Sequence, residues 1–145
     1  MLFKRTSRTD PETVFIVVQN VSGGVLTAGY ACCFDLSASV DGVRVTKPAA
    51  ANLGVFAGVA DSDIASNAYG LTQVWGYRAS AYIYSSTGAS AAGDILTPVD
   101  AQWGLTPSAI AAGTRAYGHC AAIVASSGAG SSRYNTTGAI FVKAL

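Results

Sequence analysis

Short apolar stretches, separated by polar and glycine-rich turns, recur along almost the whole chain. Residues 14–18 are a run of apolar, mostly β-branched side chains that ends near Asn20 and two glycines. Residues 43–46 alternate apolar and polar side chains after the turn pair Asp41-Gly42, which is typical of a strand with one buried face. The same signals predict eight or nine strands. The predicted strands are residues 14–18, 30–36, 43–46, 53–60, 72–77, 81–84, 95–99, 121–125 and 138–144.

Two short segments carry helix signals. Thr106 suits a helix cap, Pro107 suits the first helical position and Gly113 suits the residue after the end, which predicts a helix over residues 106–113. Residues 47–51 are long enough for one helical turn. Because short strands dominate, the pattern predicts an all-β fold: a small antiparallel barrel or sandwich body with one or two short helices.

The start of the chain differs from the rest. Residues 1–13 contain five charged side chains and little apolar content after Phe3. This composition predicts an extended N-terminal arm over residues 1–13. The chain has 145 residues, which is enough for one compact domain, so residues 14–145 are expected to form a single β domain.

The low charge of the chain limits the kinds of molecule that it is expected to bind. Charged residues make up 12% of the chain, about half the usual share, and the net charge is +1. A nearly neutral chain has no general electrostatic hold on nucleic acid, and no run of about 18 apolar residues is present to cross a membrane. The N-terminal charges precede no signal-peptide core, so we expect synthesis in the cytoplasm. A surface with so few charges favours association with other protein molecules.

Few residues are suited to catalysis or metal binding. His119 is the only histidine, and so the only side chain whose ordinary pKa suits a general base; a histidine bonded to backbone or water at a strand end is the simpler interpretation. Asp61-Ser62-Asp63 lacks the other ligands of a calcium loop and predicts a polar turn whose side chains bond their own backbone. We therefore predict no enzymatic activity, no metal and no cofactor.

The three cysteines leave two interpretations open. Cys32 and Cys33 are adjacent, so on a strand their side chains point to opposite faces and do not bridge each other easily. Cys120 could form a bridge with Cys32 or with Cys33. The odd number of cysteines favours the alternative, three buried and reduced thiols.

Five aromatic residues occur close together in the middle of the chain. They are Tyr69, Trp75, Tyr77, Tyr82 and Tyr84. On neighbouring strands they could form part of the core, a subunit interface, or a ridge that stacks the bases of single-stranded nucleic acid. A stacking ridge also needs interleaved basic residues, and this stretch contains a single arginine. The core or an interface is therefore the favoured interpretation.

Three segments follow one another in a familiar order. They are Val43-Arg-Val-Thr-Lys-Pro, Leu53-Gly-Val-Phe-Ala-Gly-Val-Ala60 and Tyr69-Gly-Leu-Thr-Gln-Val-Trp-Gly-Tyr77. Over residues 25–100 the chain resembles the small head-decoration, or cement, proteins of tailed bacteriophages. In that family a strand that ends in a similar glycine-containing motif is followed by a polar turn and then by a glycine-rich strand.

The resemblance implies a β-tulip-like or barrel-like body that forms a homotrimer on the outer surface of the virion. There it would stabilise the capsid, without enzymatic activity, by bridging subunits of the major capsid protein. The resemblance also implies that the N-terminal arm reaches the capsid, with Lys4, Arg5 and Arg8 available for acidic loops. The alternative is a structural module of a phage tail or fibre, or of a host surface layer.

Overall fold

The computed structural model describes residues 12–37, 41–85, 90–108, 120–122 and 134–144. These residues form nine β-strands and no helix, which confirms the all-β prediction. The strands are β1 (Thr13–Asn20), β2 (Ala31–Phe34), β3 (Arg44–Thr46), β4 (Phe56–Ala60), β5 (Tyr69–Ser85), β6 (Ile95–Pro98), β7 (Leu105–Pro107), β8 (Cys120–Ala122) and β9 (Tyr134–Lys143). The described part of the chain thus contains no helix that could cross a membrane.

Strand β5 joins two of the predicted strands into one. The pattern predicts separate strands over residues 72–77 and 81–84, whereas β5 continues from Tyr69 to Ser85. It pairs with β9 along most of this length, and the register shifts between Arg78 and Ala81. The β5–β9 pairing continues on both sides of this irregularity, so the interruption in the apolar pattern does not end the strand.

The helix predicted over residues 106–113 is wrong at its start. Thr106 and Pro107 belong to β7, where they pair with Thr97 and Leu96 of β6. A cap residue and a proline are weak local signals, and here the long-range strand pairing outweighs them. The rest of this prediction, residues 109–113, lies outside the described residues.

The single helical turn predicted over residues 47–51 is also wrong. The segment forms hydrogen-bonded turns in which Asn52 N–H donates to Ala49 O at 2.8 Å. Two side chains accept hydrogen bonds from the neighbouring amides: Asn52 Oδ1 from Ala49 N at 2.7 Å and Asp100 Oδ1 from Ala50 N at 2.8 Å. Side-chain acceptors of this kind give the backbone an alternative to a helix.

The nine strands form one sheet that closes on itself twice. One closed circuit runs β1-β3-β2-β4-β5 and back to β1, and the other runs β5-β7-β6-β8-β9 and back to β5. The long strand β5 belongs to both circuits, with β1 paired to its first half and β9 to its second. The β1–β3 and β5–β7 pairings are parallel, so the sheet is mixed where the sequence predicts an antiparallel one.

The described residues form two apolar cores, and β2 and β4 contribute to both. Along β2, Ala31 and Cys33 pack into one core while Cys32 packs into the other. Strand β4 divides its side chains in the same way, which is why it is buried throughout. The first core consists of Ala31, Cys33, Phe56, Val59, Ala81, Ile83, Leu96, Leu105, Cys120, Ala122, Ile140 and Val142. The second consists of Val18, Leu26, Cys32, Val45, Ala57, Ala60 and Ile64.

Candidate interaction surface

The predicted site residues differ in whether the structure describes them and in how far they are buried. Lys4, Arg5 and Arg8, predicted to contact a capsid, lie outside the described residues, as does His119. All five predicted aromatic residues lie on β5. None of them is fully buried, so they form the centre of neither core.

The five aromatic side chains do not share one environment. Tyr69 is 65% exposed and Tyr77 is 38% exposed. Trp75 is partly buried and packs edge-on against Phe141 of β9, with 5.1 Å between the ring centroids. The first half of β5 therefore presents tyrosines to solvent, while its tryptophan is held by a neighbouring strand.

Tyr82 and Tyr84 belong to a second aromatic group on the far half of β5. Tyr82 lies 5.2 Å from the ring of Tyr30, which stacks on Trp103 at 5.5 Å. A side chain at Gly104 would come within 2.6 Å of Tyr84 Cβ, so the backbone there lies directly against this strand. These tyrosines are partly buried structural residues, separate in their contacts from Tyr69 and Tyr77.

The pairing of β1 with β5 creates an apolar surface that the sequence does not reveal. Val17 pairs with Leu71, Gln19 with Tyr69 and Phe15 with Gln73. Directly paired residues share a face of the sheet, so Phe15, Val17, Leu71 and Tyr69 lie on the same side. We call these four residues the β1–β5 apolar face. Their exposed fractions are 38%, 59%, 44% and 65% in that order.

The other face of β1 anchors this surface. Val18 is fully buried in the second core, and Ile16 packs against the same core. Alternation along a strand then turns Phe15 and Val17 outward. The β-branched residues that make this segment a strand thus supply both its anchor and its exposed face.

The charges near the β1–β5 apolar face are held by partners. Strand β1 has no charged residue, and β5 has none before Arg78. Arg78 Nη1 lies 3.3 Å from Asp61 Oδ1. Gln73, next to the face, is buried and its Nε2 donates to the backbone oxygens of Gly76 and Tyr77 at 3.1 Å. The face is therefore electrically neutral as well as apolar.

The chain bends at Asp61 and Ser62, and the side chains of Asp61 and Asp63 bond groups that are distant in sequence. Asp63 Oδ1 accepts a hydrogen bond from Ala28 N at 2.8 Å, and Asp61 pairs with Arg78. The expected bonding to their own backbone is therefore wrong for these two side chains. Among the described residues, no group of acidic, histidine and cysteine side chains is arranged to hold a metal ion.

The three cysteines are free and buried, so no disulfide joins Cys120 to Cys32 or to Cys33. Burial raises the pKa of Cys32, Cys33 and Cys120 to about 12. For Cys32, the hydrogen bond with Thr72 opposes this rise only in part. A thiol with so high a pKa stays protonated at neutral pH and is a poor nucleophile.

We expect these thiols to make the stability of the fold decrease at alkaline pH. Their pKa lies near 12 in the fold and at 9.0 ordinarily, so they stay protonated in the fold while the unfolded chain ionises. We expect the contribution of these thiols to the free energy of unfolding, measured in urea, to be constant below about pH 9. It should fall as the pH rises from there towards 12. Cys120→Ala should make this fall shallower; an equally steep fall would contradict the assignment.

No family model matches the chain, and no curated protein is significantly similar to it.

Proposed function

We propose that this protein is a structural subunit that decorates a bacteriophage capsid and stabilises it by bridging subunits of the major capsid protein. The proposal places it on the outer surface of the virion, without an enzymatic role. The observation that carries it is the β1–β5 apolar face. The resemblance of residues 25–100 to head-decoration proteins supplies the kind of assembly.

Exposed apolar side chains are concentrated on two paired strands. Among the residues that the structure describes, eight large hydrophobic side chains are exposed; six of them lie on β1 or β5, and the other two are Val25 and Leu36. Single exposed apolar residues are ordinary, but a contiguous set marks a surface that binds another molecule. A neutral apolar face suits a protein partner better than nucleic acid, which requires positive charge.

A decoration protein needs such a surface for a physical reason. It stabilises a shell by burying area across the joints between subunits, and many identical copies add their modest contributions. Its affinity depends on a few well-buried anchors, for which tyrosine is among the favoured residues. Tyr69 is the most exposed of the large hydrophobic residues in the described ranges and is flanked by Leu71 on the same face. We propose these two as the anchors. Self-association as a homotrimer and capsid contacts of the N-terminal arm remain predictions.

The test measures binding to shells assembled from the cognate major capsid protein. The double variant Tyr69→Ser, Leu71→Ser removes apolar surface at exposed positions, so the fold should persist. We expect its affinity for shells to fall at least about tenfold, with a matching loss of protection against heat. The matched control is Val25→Ser, Leu36→Ser, which changes two exposed hydrophobic residues that lie outside β1 and β5.

Three results would overturn the proposal. They are failure of the wild-type protein to bind shells, unchanged binding by the double variant at Tyr69 and Leu71, and an equal loss of affinity in both double variants. Electron microscopy of purified particles separates the alternative role in a tail or fibre. Density on the capsid surface supports the proposal, and density on the tail alone contradicts it.

A further inference from the structure

Among the described residues, one edge of strand β1 is paired only at its end. On the β5 side, Asn20 N–H donates to Ala68 O at 3.0 Å; on the opposite side, Gln19 N–H donates to Val43 O at 2.9 Å. Backbone groups alternate in direction along a strand, so the N–H and C=O groups of Val17, Phe15 and Thr13 point to the same side as those of Gln19. Strand β3 pairs with β1 only at Gln19 and Asn20. Within the described residues, no backbone group pairs with this edge from Thr13 to Val17.

This edge lacks the usual protection against strand addition. Natural edge strands carry lysine, proline or inward-pointing charges that prevent pairing with another chain. The sequence of β1, Thr-Val-Phe-Ile-Val-Val-Gln-Asn, has no charged residue and no proline. Thr13, Val14, Phe15 and Val17 are all exposed. An exposed sheet edge is a surface to which an additional strand can pair through its main-chain hydrogen bonds.

We propose that the open edge of β1 pairs antiparallel with β1 of a second copy of this chain, about a two-fold axis at Phe15. In this register Phe15 pairs with Phe15 of the second copy, and Thr13 pairs with Val17 of the second copy. Each of these pairs exchanges both of its N–H···O bonds, since all three residues direct their backbone groups to the open edge.

The length and sequence of the open edge favour β1 of a second copy of this chain as its partner. The open stretch from Thr13 to Val17 is centred on Phe15, so a two-fold axis there uses every free backbone group without displacing β3. Identical strands that meet antiparallel bring equal residues together at the axis, and like charges would repel there. Strand β1 has none. The pairing also puts two phenylalanines side by side, which is favourable across strands.

This pairing joins the backbone edge of β1, whereas the proposed capsid anchors, Tyr69 and Leu71, are side chains of β5. An isologous contact of this type joins two copies by the same patch, so any trimer would use another surface. The edge can therefore be tested in solution without capsid shells, through a residue different from Tyr69 and Leu71. Failure of one proposal leaves the other untouched.

The experiment exploits the position of residue 15 on the axis. Phe15→Lys and Phe15→Glu each place like charges opposite each other between copies. We expect each variant alone to have half the mass of the wild-type assembly by light scattering and sedimentation, with a dissociation constant raised at least about tenfold. Mixing the two variants places Lys opposite Glu and should restore the wild-type mass.

The matched controls carry the same charges on the same sheet but away from the edge. Tyr69→Lys and Tyr69→Glu should keep the wild-type mass, both alone and mixed, since Tyr69 lies on β5. Circular dichroism establishes that every variant is folded. The proposal is overturned if wild-type protein is monomeric at micromolar concentration, if the folded Phe15 variants keep the wild-type mass, or if mixing restores nothing.

Discussion

Replacing Gly58 by alanine is expected to lower the free energy of unfolding by about 4 kcal/mol. Gly58 lies in the buried strand β4 with a φ of +134°, a conformation that side chains rarely adopt. A methyl group there would overlap the backbone oxygen of Gln73 and come within 2.7 Å of Thr72 Cγ2. Since β4 contributes to both cores, neither neighbour can move without disturbing packing. Urea unfolding followed by tryptophan fluorescence measures the loss.

Gly54→Ala is the control for this substitution. A methyl group at Gly54 has no heavy atom within 4 Å, and its backbone lies outside the left-handed region. Its effect should stay within about 0.5 kcal/mol of zero. A Gly58→Ala protein as stable as the Gly54→Ala protein would show that the close approach of β4 to β5 is wrong.

Replacing Asn20 by alanine should cost about 3 kcal/mol of unfolding free energy. The Asn20 side chain is fully buried at the end of β1. Its Nδ2 donates to Gly24 O at 2.7 Å and to Ile64 O at 2.8 Å, and its Oδ1 accepts from Ser22 N at 3.0 Å and Ser22 Oγ at 2.7 Å. The substitution removes all of these bonds and leaves polar groups poorly satisfied in a dry environment.

The neighbouring residue on the same strand provides the comparison for Asn20. Gln19 Nε2 makes one exposed hydrogen bond, 3.2 Å to Asn67 O. We expect Gln19→Ala to change the free energy of unfolding by less than about 1 kcal/mol in the same denaturation measurement. Equal losses for Gln19→Ala and Asn20→Ala would mean that the buried network around Asn20 contributes little.

Local pattern was sufficient to predict most of the strands. The alternation of residues 43–46 and the β-branched run at residues 14–18 identify β3 and β1, because side-chain periodicity is a property of the segment itself. The helix signals at Thr106 and Pro107 failed because the choice was decided by β6, which is distant in sequence. The closure of the sheet on β5 was likewise beyond local pattern, since it depends on which strands meet.

The apolar face was hidden by the same feature that predicted β1. A continuous apolar run such as residues 14–18 normally indicates a strand buried on both faces. In this strand Ile16 and Val18 pack into the second core, whereas Phe15 and Val17 are exposed. The sequence identifies Tyr69 as a candidate because it is one of five aromatic residues that occur close together. Leu71 becomes a candidate only through its pairing with Val17.

The sharing of β5 between two circuits has a consequence for how the chain is made. Strands β1 and β4 precede β5, whereas β9, which pairs with it from Trp75 to Ser85, follows much later. On the ribosome, the second half of β5 therefore emerges well before its partner on that edge. Until β9 is synthesised, this nascent edge is open to wrong pairing and aggregation. Cooler, slower expression lowers the concentration of such incomplete chains and should favour recovery of folded protein.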